Sequence, residues 1–144
     1  MTTEEKEGPQ APAPIRILVA DDSTTVRHLI SVMLARYYLC DITEAVDGAD
    51  AYRKLSSGRF DILVTDVNMP RMTGLALVKK VREEQKNSIP IIVVTTKGAA
   101  KDQEKGMEMG ADAYITKPID GNRRAEKVGA LLYGYRRREE EGRA

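Results

Sequence analysis

Four apolar runs punctuate the chain: Ile15 to Ala20, Phe60 to Thr65, Ile91 to Val94 and Ala113 to Thr116. Each is short and is followed by a polar residue, and most are rich in Ile and Val, which predicts a strand. A weaker strand is expected near Leu39 to Glu44. Between the runs the apolar period becomes helical. Ser23 can cap a helix with the stripe Val26, Ile30, Met33, Leu34 and Tyr37. Asp47-Gly48 turns the chain into a short helix carrying Ala51, Tyr52 and Leu55, which Gly58 stops. After Asp66 a loop, Val67 to Thr73, contains Pro70 and leads into a helix with Leu77, Val78 and Val81; Pro90 then restarts the chain as a strand. Ala99 to Met109 is a fourth helix, closed by Gly110. A fifth runs from about Asp120, with a thin stripe of Ala125, Val128, Gly129, Leu132 and Tyr135. Five strands alternating with five helices read as repeated βα units: an α/β fold with a doubly wound parallel sheet, right-handed crossovers and helices on both faces.

The residues that end the strands carry the chemistry. Parallel strands bring their carboxyl ends to one edge, where ligands bind. Asp21-Asp22, Asp66, Thr95 and Lys117 stand at four such ends. One pocket would then hold three carboxylates, a hydroxyl and an ammonium, an inventory suited to a divalent cation and a phosphoryl group. Crowded carboxylates repel, and a cation relieves them. Mg²⁺ prefers carboxylates, carbonyls and water, so its expected ligands are Asp21, Asp22, Asp66 and a backbone carbonyl of the following loop, that of Asn68. Asp66, at the end of the central run, is the natural nucleophile for covalent aspartyl-phosphate chemistry. Lys117 and the metal would stabilise charge on the phosphoryl oxygens, and Thr95 could donate its hydroxyl to one of them.

Composition narrows the classes. A chain of 144 residues with net charge +1 and interspersed charges is one domain, with no sign of a nucleic-acid binder, a polybasic membrane patch or a membrane-inserted segment. The single Cys40 excludes an internal disulfide and fits the cytoplasm; it reads as a small core residue. The expected organisation is a disordered tail over residues 1–14, a domain over 15–137 and a charged tail over 138–144. No apolar signal-peptide core begins the chain. His28 reads as a surface histidine, and Met33, Met107 and Met109 as core filling.

With Asp21-Asp22-Ser23, Arg27, Asp66-Val67-Asn68-Met69-Pro70, Gly74, Val94-Thr95-Thr96, Gly110-Ala111-Asp112 and Tyr114-Ile115-Thr116-Lys117-Pro118 in this order, the chain resembles the receiver domain of two-component response regulators. It is similar to the stand-alone, chemotaxis-type members over about Ile15 to Tyr135. The resemblance implies a flavodoxin-like strand order 2-1-3-4-5 and a histidine kinase whose phosphohistidine donates to Asp66 with Mg²⁺. It implies that Lys117 contacts the phosphoryl group, that Thr95 moves toward it, and that Tyr114 swings inward as a switch residue. A face of the fourth helix, fifth strand and fifth helix would then meet a protein target, and Lys117-Pro118 would sit on a cis peptide.

Departures from the pattern qualify this. Gly106 stands mid-helix where the family usually has Ala, at a cost of about 1 kcal/mol; it is expected to make the fourth helix mobile unless packing needs a small residue. Asp120-Gly121-Asn122-Arg123-Arg124 replaces larger apolar residues, so Arg123 and Arg124 either form a basic partner site or a solvated face. Asn68, Thr96 and Lys97 should flank the pocket, with Lys97 influencing phosphoryl lifetime. The competing readings are a phosphorylation-controlled binding module, a phosphate sink and a phosphorylation-independent scaffold. A conventional phosphohydrolase would want an acid/base aspartate where Asn68 stands. Direct DNA binding is not expected, because nothing after Tyr135 could form a helix-turn-helix. The protein is therefore expected to be a phosphoacceptor rather than an enzyme acting on a separate substrate.

Overall fold

A computed structural model describes residues 13–96, 100–117 and 126–131. Its elements alternate strictly: β1 (Ile15–Ala20), α1 (Thr24–Tyr37), β2 (Cys40–Ala45), α2 (Gly48–Ser57), β3 (Ile62–Asp66), α3 (Gly74–Glu83), β4 (Ile91–Thr95), α4 (Ala100–Met109) and β5 (Ala113–Thr116). A further helical segment, 126–131, is α5. The strands form one sheet in the order β2-β1-β3-β4-β5, every pair parallel.

The continuous apolar character of β1, β3 and β4 follows from burial on both faces. Ile17 and Val19 of β1, with Ile62, Val64, Ile92, Val94 and Ile115, face α1 and Val128 of α5. The alternate residues Leu18, Ala20, Leu63, Ile91 and Val93 face Ala51 and Leu55 of α2 and Leu77, Val78 and Val81 of α3. Helices start where the sequence provides caps: the side chains of Ser23, Asp47 and Thr73 accept the N–H groups of Val26, Asp50 and Ala76.

Several expectations shift: β3 spans Ile62–Asp66 where Phe60 to Thr65 was expected, and β4 runs on to Thr95. The second strand begins and ends one residue later than expected, at Cys40 and Ala45, because β1 pairs with it from Ile15↔Cys40 to Ala20↔Ala45. The fourth helix is described over Ala100–Met109, and Ala99, where it was expected to begin, lies outside the described residues. Tyr37 closes no core stripe; it is 44 % exposed. Tyr38 packs on that side instead, leaving the helix in an extended conformation while its N–H still reaches the Leu34 carbonyl. Gly129 makes room for it, since a Cβ there would lie 2.5 Å from the Tyr38 hydroxyl. Met107 is exposed on α4, whereas Met33 is buried and Met109 packs against the core. His28 is exposed, and Cys40 is half-buried against the α1 layer, where burial raises its thiol pKa. Lys97, Pro118, Asp120 to Ala125, Leu132 and Tyr135 lie outside the described residues, as do the expected tails apart from Ala13 and Pro14.

Candidate functional site

The carboxyl edge of β1 and β3 gathers the three aspartates. Asp21 and Asp22 follow β1 directly, and Asp66 is the last residue of β3. Each offers a carboxylate oxygen, and these oxygens all lie within 4.8 Å of one another. Asp21 and Asp66 are buried; Asp22 is exposed at the mouth. Lys117, one residue past β5, reaches across: its Nζ is 3.3 Å from Asp66 Oδ1 and 3.9 Å from Asp21 Oδ2. The backbone fixes these carboxylates further. Ser23 N–H donates to Asp21 Oδ1 at 2.8 Å and Val67 N–H to Asp66 Oδ1 at 3.0 Å.

The site is over-supplied with negative charge. Burial lifts the Asp21 carboxyl from 3.8 to about 6, with the Asp66 and Asp22 charges adding to the rise against the Ser23 N–H and Lys117. Burial likewise raises Asp66, even though Lys117 pulls the other way. Asp21 Oδ2 is buried without a hydrogen-bond partner. A buried carboxylate oxygen left so is costly, and together with two further carboxylates and no histidine or thiolate among them it fits a hard divalent cation such as Mg²⁺.

The supporting architecture is close-packed. Gly74 opens α3 against the end of β3: its N–H donates to the Val67 carbonyl at 2.8 Å, and a Cβ would sit 1.9 Å from the Asp66 carbonyl oxygen. Arg27, buried on α1, donates through its NH1 to the Asp21 carbonyl at 2.6 Å and through Nε to Glu44 of β2 at 2.7 Å. The guanidinium thus ties the turn that carries Asp21 to the neighbouring strand. The sequence marked Arg27 only as part of a motif; a lone arginine in a helical stripe gives no sign of which carbonyl it will meet. Arg71 holds a left-handed backbone (φ 68°) and pairs with the buried Asp47 at 2.9 Å, clasping the loop after β3 to the start of α2.

Thr95 ends β4 and is buried. Its carbonyl accepts the Lys117 N–H at 2.8 Å, and its hydroxyl accepts from Gln103 Nε2 of α4 at 3.4 Å. Tyr114 on β5 is half-buried, with Lys127 Nζ 4.8 Å over its ring and donating to its carbonyl at 2.8 Å. Asn68 and Thr96 are exposed beside the strand ends. The structure therefore brings together Asp21, Asp22, Asp66 and Lys117, sets Thr95 at the adjoining strand end, and leaves Tyr114 on β5, three residues before Lys117.

Comparison with known proteins agrees with this architecture. Residues 17–128 match the family described as the response regulator receiver domain. Chemotaxis protein CheY1 of Helicobacter pylori is 39 % identical over 120 residues, covering 82 % of this chain and 97 % of that protein. The chemotaxis protein CheY homolog of Campylobacter jejuni is 40 % identical over 120 residues, 82 % of this chain and 92 % of its own. Among solved structures, chemotaxis protein CheY4 of Vibrio cholerae superposes with a TM-score of 0.75 at 31 % identity, covering 83 % of this chain and 99 % of that one. Similarity of this extent, on a sheet of the same order, means that the chain belongs to the response regulator receiver domain family, as a CheY-like regulator of two-component signalling.

Proposed function

We propose that the protein is a single-domain phosphoacceptor, in which Asp66 takes a phosphoryl group from the phosphohistidine of a histidine kinase and the modified protein changes its binding to a protein target. The observation that carries this reading is the Lys117 ammonium 3.3 Å from Asp66 Oδ1, in a nest of three carboxylates. Asp21, Asp22 and Asp66, with the Asn68 carbonyl, would hold Mg²⁺. When bound, the cation supplies positive charge that offsets charge on the transferring oxygens. An Asp66 carboxylate oxygen attacks phosphorus; the P–N bond breaks as the O–P bond forms, and the imidazole leaves with the electron pair and takes up a proton. Lys117 follows the charge from the carboxylate to the phosphoryl oxygens. Thr95 donates its hydroxyl to one of them, a contact available only in the phosphorylated state, and so biases the conformational equilibrium.

In this reading the protein is no enzyme in the ordinary sense: it assists its own phosphorylation and dephosphorylation. Asn68 and Thr96, exposed beside the strand ends, would border the route by which water reaches the acyl phosphate; Lys97, outside the described residues, is proposed from its place in the sequence to influence phosphoryl lifetime. Tyr114 links the pocket to a target face made by α4, β5 and α5. No described helix is long and apolar enough to cross a membrane, and the cytoplasm, where the kinase's phosphohistidine would be met, is the proposed compartment.

The test is phosphorylation of the purified protein with acetyl phosphate, with and without Mg²⁺. An alkali-labile acyl phosphate should form on wild type, need Mg²⁺, and be absent from Asp66→Asn. Labelling that persists in Asp66→Asn would reassign the acceptor. The decay rate then separates a signalling protein from a phosphate sink.

A further inference from the structure

Gln103 touches two places at once. Its Nε2 donates to the buried Thr95 hydroxyl at 3.4 Å, and its side chain lines a shallow cavity between α4 and β5 with Glu104, Met107, Glu108 and Tyr114. The Thr95 backbone is pinned by its register opposite Thr116 and by the Lys117 N–H on its carbonyl. What remains free to change at this strand end is the side chain. α4 itself is weakly held by its own sequence: Gly106, one turn after Gln103, is buried against Leu75 and Val93 in a helix half of whose residues are charged.

We propose that Gln103 is a positioning residue that holds the Thr95 hydroxyl on the α4 side in the unphosphorylated protein, so that engaging the phosphoryl group requires this bond to break. This rests on the phosphoacceptor reading above and adds its regulation. Breaking the bond releases the Gln103 amide into the α4–β5 cavity, so one event changes both the pocket and the surface beside Tyr114. The bond is neutral and long, which suits a device that is meant to open. A state stabilised by one such bond is favoured by a factor of about 2 to 10, and its loss shifts the population by that factor.

The experiment compares wild type, Gln103→Met and Gln103→Ala in the rate of acyl phosphate formation from acetyl phosphate, each also in a Thr95→Val background. Removing the donor should accelerate phosphorylation about 2- to 10-fold, with the half-saturating Mg²⁺ concentration unchanged. In the Thr95→Val background the acceleration should vanish, because the hydroxyl that Gln103 restrains is gone. Wild-type rates in both single variants would overturn the proposal. So would an acceleration that survives in Thr95→Val, since that would make Gln103 a general determinant of α4 stability. Wild type that forms no acyl phosphate at all would sink the phosphoacceptor reading itself, and the restraint with it.

Discussion

Asp21 holds one carboxylate oxygen on the Ser23 N–H and buries the other without a hydrogen bond. Its folded carboxyl, raised to about 6, binds a proton more tightly than the unfolded chain's at 3.8. Between those values the native state holds more protons, so stability falls as pH rises through the window. Chelator-treated protein should therefore show a higher urea midpoint at pH 5 than at pH 7; a midpoint that rises toward pH 7 would mean that Asp21 is stabilised as an anion by something other than a cation. Arg27 acts at the same scale. Replacing it by Met leaves the buried Asp21 carbonyl without its 2.6 Å donor and should cost about 2 kcal/mol in urea denaturation. Glu44→Gln should cost less than about 1 kcal/mol, because the Glu44 side chain is 44 % exposed. Equal losses would place the energy in the ion pair and not in the carbonyl contact.

The elements differ in how firmly their own sequence holds them. β1, β3 and β4 are mostly Ile, Val and Leu, and their identity was legible because burial on both faces favours apolar residues at most positions. β2 was placed one residue out because only one side of an edge strand is paired, and Cys40, Asp41 and Thr43 give a mixed signal. Tyr37 and Tyr38 exchanged roles for a similar reason: periodicity assigns the stripe by angle, but the chain leaves the helix at Tyr38 and turns that ring inward. In α4 a Cβ on Gly106 would meet Leu75 and Val93 at 3.5 Å, an ordinary contact distance. Packing thus admits alanine, and Gly106→Ala should raise stability by about 1 kcal/mol and slow amide exchange in α4. Exchange already as slow in α4 as in β4 would show that the glycine does not loosen the helix.

For the whole molecule, a cation that binds only the folded site adds stability by mass action, about 2.7 kcal/mol at a hundredfold excess over its dissociation constant. Mg²⁺ should raise the thermal midpoint of wild type. Asp21→Asn should reverse the pattern, making the metal-free protein more stable by removing a buried charge and abolishing most of the gain from Mg²⁺. A gain that survives the substitution would put the cation elsewhere. The site itself was legible in the sequence to the extent that chemistry sits at strand ends: the three aspartates and Lys117 converge as the topology requires. The contacts that steady it were not. Arg27 to the Asp21 carbonyl, Arg71 to Asp47 and Gln103 to Thr95 join residues whose spacing along the chain has no period, and only the tertiary arrangement makes them neighbours.

The pocket draws on β1, β3, β4 and the residue after β5, so its parts are synthesised in sequence and Lys117 comes last. A nascent or prematurely terminated chain can own all three aspartates and still lack the ammonium that completes the site. If the site works as proposed, competence therefore has a threshold along the chain: fragments that stop before Lys117 would not be labelled by a phosphodonor, whatever acidic residues they already carry.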